Sequence, residues 1–416
     1  MRRFVRSAKF SGMSSTIFKS ILLVSVCAAG SPVLAQQTGQ IDGRVNTITT
    51  AVPFLRISPD ARAGGMGDVG IATEADANAQ YWNIGKMPFA PKQYGIGVTY
   101  TPWLKELVPD IALYYVSGYA KFGRENNQAV SGSLRYFNLG DINYTDNQGA
   151  PLGTGKPREF SLDLGYSRRF TPYFSTGISL RYIRSAIANG LASGTNGTDY
   201  QPGNAIAADV GMYYSRTKEI DGPRTRTFSA GLVLSNLGSK ISYSSTRNDF
   251  IPANLGLGVA NTWQIDEYNK FTAALDVNKL MVPTPQYSYD SSGNITSYIP
   301  SEKGTVAGIF SSFGDAPGGF SEELREFQVS LGAEYWYQNQ FGLRAGYFYE
   351  DKTKGDRKYF TVGGSARYNI FTLNFSYLVP SNSGITRNPL SNTLRFSLLF
   401  EFDKVRGNRD EAASAE

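Results

Sequence analysis

The sequence predicts an all-β membrane protein: an antiparallel outer-membrane β-barrel of about fourteen strands, stoppered by an N-terminal plug. Three observations carry this. Period-2 alternation of apolar and polar residues recurs along the chain; the connections alternate in step between short turns and long loops; and no apolar stretch is long enough for a helical span. With 26 Tyr, 25 Phe and 44 Gly, the chain nonetheless has a mean hydropathy of −0.28. A barrel reconciles these values, because only every second strand residue faces lipid while the lumen stays polar.

The strands are expected to begin near residues 92, 110, 127, 158, 173, 203, 224, 252, 268, 323, 339, 357, 371 and 391. The last is typical: Leu394, Phe396, Leu398, Phe400 and Phe402 share one face, while Arg395, Ser397 and Glu401 share the other with Leu399. A sandwich would alternate equally well but would point its apolar face inward. The connections favour the barrel. Short ones, such as Thr171-Pro172 and Asn369-Ile370, alternate with long ones, such as Ala188 to Pro202 and Lys279 to Glu322. Periplasmic turns and extracellular loops have this asymmetry.

Residues 1–35 read as an export signal. Arg2, Arg3, Arg6, Lys9 and Lys19 precede the apolar run Ile21 to Ala29, and Val33-Leu34-Ala35 offers a cleavage site. Five of the 41 basic residues lie in this segment and none of the acidic ones, leaving 36 basic against 35 acidic side chains. Nucleic-acid binding therefore loses its compositional support. The chain has no His, and its single Cys27 lies within the signal. Thiolate and imidazole metal sites, disulfides and His-dependent catalysis are thus excluded beyond residue 35, and no catalytic, metal or cofactor-binding residues are expected.

The remaining organisation follows from these landmarks. Residues 36–91 comprise a polar lead, Gln36 to Ala51, expected to be exposed or periplasmic, and then the plug. Residues 92–403 form the barrel, and residues 404–416 a loose periplasmic tail. Ile71 to Gln80 is alanine-rich and is expected to form a short helix.

The plug motif is the one dense local signal. Pro59, Asp60, Arg62, Gly64, Gly65, Met66, Gly67 and Asp68 are followed by Trp82 and Asn83. Gly65 to Gly70 also matches a G-x-G-x-x-G pattern, but Pro59 interrupts any preceding strand and no acid stands near position 90, so a nucleotide site is disfavoured. The glycines instead suit backbone lying against a barrel wall, with Asp60, Arg62 and Asp68 bonding to lumen groups. Asp163, Arg181, Asp209, Asp276, Glu334, Arg344 and Arg395 fall on predicted lumen faces, where mixed charge is ordinary barrel chemistry. Two outer loops carry unexpected apolar residues: Trp103, Leu104, Leu107 and Val108 in one, and Ile309, Phe310, Phe313 and Phe320 in the other. They anchor at the membrane interface or pack onto neighbouring loops, or else they form an apolar patch that docks a partner.

The stretch Phe54 to Asp68, with Tyr81-Trp82-Asn83, resembles the opening of the PorV family of the type IX secretion system, which belongs to the wider FadL-like barrels. Trp82-Asn83-Ile84 departs from the wider group, which tends to carry Asn-Pro-Ala after the tryptophan. The resemblance implies a non-enzymatic outer-membrane protein that sits beside a large translocon barrel, receives cargo by its C-terminal signal domain, and carries it to a sortase-containing attachment complex at the cell surface. The implied partners are these proteins and outer-membrane lipid. The alternatives are a FadL-like transporter of hydrophobic small molecules and, more remotely, a lipid A deacylase, for which the missing His removes the usual hydrolase arrangement.

Overall fold

The computed structural model describes residues 46–103, 110–145, 148, 150–187, 201–244, 247–290, 295–299, 301–380 and 393–403. The export signal, the C-terminal tail, and Leu104, Leu107 and Val108 lie outside the described residues.

Fourteen strands close into one antiparallel barrel. They are β1 (Tyr94–Pro102), β2 (Ala112–Phe122), β3 (Gln128–Asn138), β4 (Arg158–Thr171), β5 (Phe174–Ala186), β6 (Gly203–Asp221), β7 (Arg224–Gly238), β8 (Asn254–Gln264), β9 (Asn269–Leu280), β10 (Phe327–Tyr337), β11 (Phe341–Tyr349), β12 (Lys358–Tyr368), β13 (Phe371–Pro380) and β14 (Leu394–Phe402). Each pairs with its neighbours in sequence, and the ring closes by β1 against β14, with Tyr94 opposite Phe402 and Tyr100 opposite Phe396. Closure leaves no unpaired edge, which is the condition for spanning lipid with strands.

The direction of the side chains separates barrel from sandwich. Along β5, Ile178 and Leu180 are exposed while Ser175, Ser179, Arg181 and Ser185 are buried. Leu164 and Ile206 are each 66% exposed, far too much apolar surface for a water-facing wall. The apolar face looks outward, into lipid, and the polar face looks into the lumen. Aromatic residues pack together between neighbouring strands on this outer face, stacked in Tyr94 with Phe402 and tilted in Tyr347 with Phe360.

Tight turns close one end of the barrel. Gln338 and Asn339 both have positive φ, 53° and 52°, the twist that suits a hairpin turn between right-twisted strands. The opposite end carries the long connections. Among the described residues, three two-stranded sheets stand there (Ile142–Thr145 with Pro151–Gly155, Ile241–Ser244 with Arg247–Asp249, and Gln286–Tyr289 with Ile295–Ile299), together with the helix Thr305–Ser311.

The chain before β1 runs through the lumen. Residues 46–51 lie among the long loops and not at the turn end: the Asn46 N–H donates to Thr353 O at 2.8 Å, and the Ala51 N–H to Phe250 O at 2.9 Å. At the other extreme Lys92 and Gln93 bond to Asp403 beside the turns. The expected helix over Ile71 to Gln80 is confined to Ala79–Trp82. Asp276 takes the N–H groups of Gly70 and Ile71, and Asp76 takes that of Asn78, so wall and local carboxylates offer this stretch an alternative to helical pairing.

Candidate functional site

The luminal segment is held to the wall by polar contacts around the ring. Its first turn, Ala61–Gly64, is capped by Asp60, whose carboxylate accepts from the Ala63 N–H at 2.8 Å. The other Asp60 oxygen accepts from the Trp82 indole N–H at 2.5 Å, which ties the two ends of the motif together. Arg62 is the central cation: it forks onto Glu334 at 3.0 and 2.9 Å and reaches Asp76 at 3.1 Å. Asp68 bonds to Arg395 at 2.9 Å and to the Tyr359 hydroxyl at 2.7 Å. Asn83 caps the following turn through the Gly85 N–H and donates to Met212 O and Ile71 O.

Backbone also meets backbone. Gly67 has φ 70°, and its N–H donates to the Thr361 hydroxyl at 2.7 Å. Opposite it stands Gly346 on β11, where a Cβ would come within 2.1 Å of Gly67 N and of Met66 C. The two glycines permit a contact that no other residue pair allows.

Pro59, Asp60, Gly64, Gly65, Met66, Gly67 and Asn83 are buried, while Arg62, Asp68 and Trp82 are partly buried. Of the anticipated lumen residues, Asp276, Glu334 and Arg395 contact the luminal segment directly. Arg344 supports Glu334 at 2.6 Å. Asp163, Arg181 and Asp209 form a separate buried cluster within the wall, with Arg181 to Asp209 at 2.8 Å.

Above the luminal segment, toward the long loops, lies a chamber of about 650 Å³. Residues 53–58 form one side of it, and Tyr81, Trp82, Phe348 and Tyr359 supply aromatic surface. Phe54 and Leu55 pack into an apolar cluster with Leu113, Phe137, Ile183 and Ile251. Their carbonyls accept from Arg135, whose guanidinium stacks 4.6 Å over the Tyr81 ring. Arg56 lies beside Glu350, whose two oxygens Arg357 already holds at 2.7 and 2.8 Å. The nearest approach of Arg56 to that carboxylate is 3.9 Å. Burial, and then the adjacent Arg357, pull the Arg56 guanidinium down to about 10.

The outer loops separate into a buried polar base and an apolar crest. In the base, Lys279 pairs with Glu323 at 3.1 Å and with Glu326, while Lys354 pairs with Glu322 at 2.5 Å and with Glu326 at 3.0 Å. Glu322 also accepts from Asn46 Nδ2 at 3.0 Å and from the Gly318 N–H at 2.7 Å. In the crest, the helix Thr305–Ser311 turns Gly308 down onto Phe250, leaving Val306 and Phe310 one turn apart on its other side. Phe310 is 74% exposed and Phe320 78%; Phe313 is also exposed and Ile309 is partly buried. Trp103 differs: it packs against the luminal apolar cluster and lines the chamber, so it faces inward.

Sequence reasoning missed Asn46, Arg56, Arg135, Lys279, Lys354 and Tyr359. The run Glu322-Glu323-x-x-Glu326 was a visible acidic signal, but nothing in its spacing names lysines 32 and 47 residues away.

A closed ring of fourteen strands with outward aromatic rows and a polar, filled lumen defines an outer-membrane β-barrel protein. Residues 40–287 match the family described as type IX secretion system protein PorV, and the chain belongs to that family. No curated protein matches it. Among solved structures it is similar to the toluene transporter TbuX of Ralstonia pickettii (10% identity, 83% of this chain and 98% of that one, TM-score 0.43). It is also similar to the toluene transporter TodX of P. putida (13% identity, 84% and 99%, TM-score 0.45). A FadL homologue of Pseudomonas aeruginosa is a third such barrel (10% identity, 86% and 100%, TM-score 0.40).

Proposed function

We propose that this PorV-family barrel is the carrier of type IX secretion: it associates with the translocon barrel, takes cargo by its C-terminal signal domain, and delivers it to the sortase-containing attachment complex. The observation that supports docking is the crest of Val306, Phe310 and Phe320, apolar surface held out at the loop end above a buried ionic base. A rigid wall suits the task, because loops fixed on it lose little freedom on binding while the lipid face lets the whole molecule diffuse. The chemistry is recognition and not catalysis.

Affinity purification from the native envelope in mild detergent tests this. Recovery of a giant barrel, or of a cargo signal domain, supports the carrier reading; recovery of the protein with lipid alone defeats it. The chamber favours a second reading, a transporter of hydrophobic small molecules, because its aromatic surface offers an apolar ligand a place in the lumen. Long acyl chains or aromatic hydrocarbons that copurify and are retained through washing would move the assignment there.

A further inference from the structure

The outer face of the β6–β7 hairpin changes character at the turn end of the barrel. Toward the loops it carries lipid-facing residues such as Ile206 and Met212, both exposed. An aromatic row follows, with Tyr214 lying 6.5 Å from both Tyr173 and Phe228. Such rows mark the depth at which lipid head groups begin. Immediately beyond stand three exposed cations, Arg216 opposite Phe228, and Lys218 opposite Arg226. Arg216 lies 5.3 Å over the Tyr173 ring, and Arg226 lies 5.8 Å over that of Trp263 on β8. Among the described residues no carboxylate pairs with any of the three. Lys92 and Lys270 at the same end are paired, with Asp403 at 2.9 Å and Glu74 at 3.2 Å. Glu219 does not compensate, because alternation puts it on the opposite face, with Thr217 and Thr227.

Lys218 and Arg226 are direct cross-strand neighbours, and like charges so placed repel. Positive charge often blunts an exposed strand edge, and β6 has one beyond Ser215, where its pairing with β5 ends at Tyr173 O. Edge protection does not account for Arg226, because β7 is paired there on both sides, with Lys218 on β6 and Trp263 on β8. A shared anion accounts for all three. We propose that Arg216, Lys218 and Arg226 bind the phosphodiester head group of an acidic phospholipid in the periplasmic leaflet. The apolar wall toward the loops takes the acyl chains, and the aromatic row fixes the depth. Arg226 is held through its Nε, which donates to Asn261 Oδ1 at 3.1 Å, so it presents its terminal nitrogens to phosphate oxygens while Lys218 adds a point charge. A zwitterionic head group brings its own ammonium and gains less. The site is independent of the secretion reading.

Nanodiscs of phosphatidylethanolamine mixed with phosphatidylglycerol, holding the purified barrel, test the site. Native mass spectrometry counts the lipids that stay bound once the disc is stripped away. The parent is expected to retain phosphatidylglycerol at about fivefold over its share of the bilayer. Arg216→Gln, Lys218→Gln and Arg226→Gln together should bring that ratio down to the bilayer value. Lys92→Gln with Lys270→Gln, which removes paired charges at the same end, should leave the enrichment in place. Amides of residues 216–226 should also exchange more slowly in mixed discs than in phosphatidylethanolamine alone, in the parent only. Equal ratios in the parent and the triple variant, both folded and heat-modifiable, would overturn the site. An equal drop in the paired-lysine variant would overturn it too, by reducing the effect to net charge. Unchanged lipid retention in a triple variant that loses a periplasmic protein from envelope pull-downs would assign the cluster to a protein partner instead. Because the discs hold no cargo or translocon, failure here leaves the secretion reading standing.

Discussion

Arg62 and Glu334, 272 residues apart in sequence, meet in the lumen through two parallel hydrogen bonds of 3.0 and 2.9 Å, with Arg344 closing on the same carboxylate at 2.6 Å. Glu334 is thus shared by one guanidinium from the luminal segment and one from the wall. Replacing it leaves Arg344 buried without its anion and Arg62 with Asp76 as its remaining close carboxylate, and stranding a buried charge in this way typically costs about 3–5 kcal/mol. Glu334→Leu should therefore lower the temperature at which the folded, fast-migrating form is lost in heat-modifiability gels. An unchanged transition would mean that the triad contributes little to stability.

Asp60 does two jobs, capping Ala61–Gly64 and accepting the Trp82 indole N–H. Asp60→Ala loses a cap and a charge-assisted hydrogen bond, together about 1–3 kcal/mol, and both lie within the luminal segment. Hydrogen exchange should rise over residues 58–87 while the β-strand amides stay protected. Uniform loss of protection across the barrel would place Asp60 in the wall's folding and not in local anchoring.

Gly346 and Gly118 both sit in strands, but only Gly346 faces the luminal backbone. A Cβ at Gly346 would come 2.1 Å from Gly67 N, whereas one at Gly118 would meet Gly95 O at 3.2 Å. Gly346→Ala should make the luminal segment protease-sensitive, and Gly118→Ala should not. Equal sensitivity of the two variants would remove the steric argument.

Phe310 stands on the crest, so Phe310→Asp should preserve the heat-modifiable barrel while reducing cargo release and surface attachment several-fold. Normal secretion by the variant would show that docking lies elsewhere.

Burial pushes the Glu322 carboxyl up, but hydrogen bonds from Lys354, the Gly318 N–H and Asn46 outweigh it, so it sits below the ordinary glutamate value. Around it stand Glu323 and Glu326, with Lys279 and Lys354 as the balancing cations. A depressed folded value means that its contribution is complete above the ordinary glutamate pKa of about 4.3 and is lost as pH falls through the lower, folded value. The temperature at which the folded, fast-migrating form is lost should hold from pH 7 to 5 and fall in stronger acid. Glu322→Gln should show a smaller acid step.

The local order of the chain was legible in its residues to a useful depth. Alternation at period 2 depends only on which face of a strand meets lipid, so β4, β6, β7 and β13 begin at residues 158, 203, 224 and 371 as expected, and the others begin within a few residues. The step between short and long connections likewise follows from the two ends of the barrel meeting different compartments. Leu399 broke the alternation within β14, and it is buried beside Ala75 and Ala77, where the lumen happens to be apolar.

Contacts between distant parts of the chain were another matter. That Arg62 would choose Glu334, that residues 46–51 would lie among the outer loops, and that Trp103 would turn inward while Phe310 turns outward all depend on the register of ring closure. Closure brings together side chains hundreds of residues apart, and charge complementarity can be tested only once they are neighbours. A strand's alternation is set by its own backbone period, whereas a luminal ion pair is set by the whole circumference.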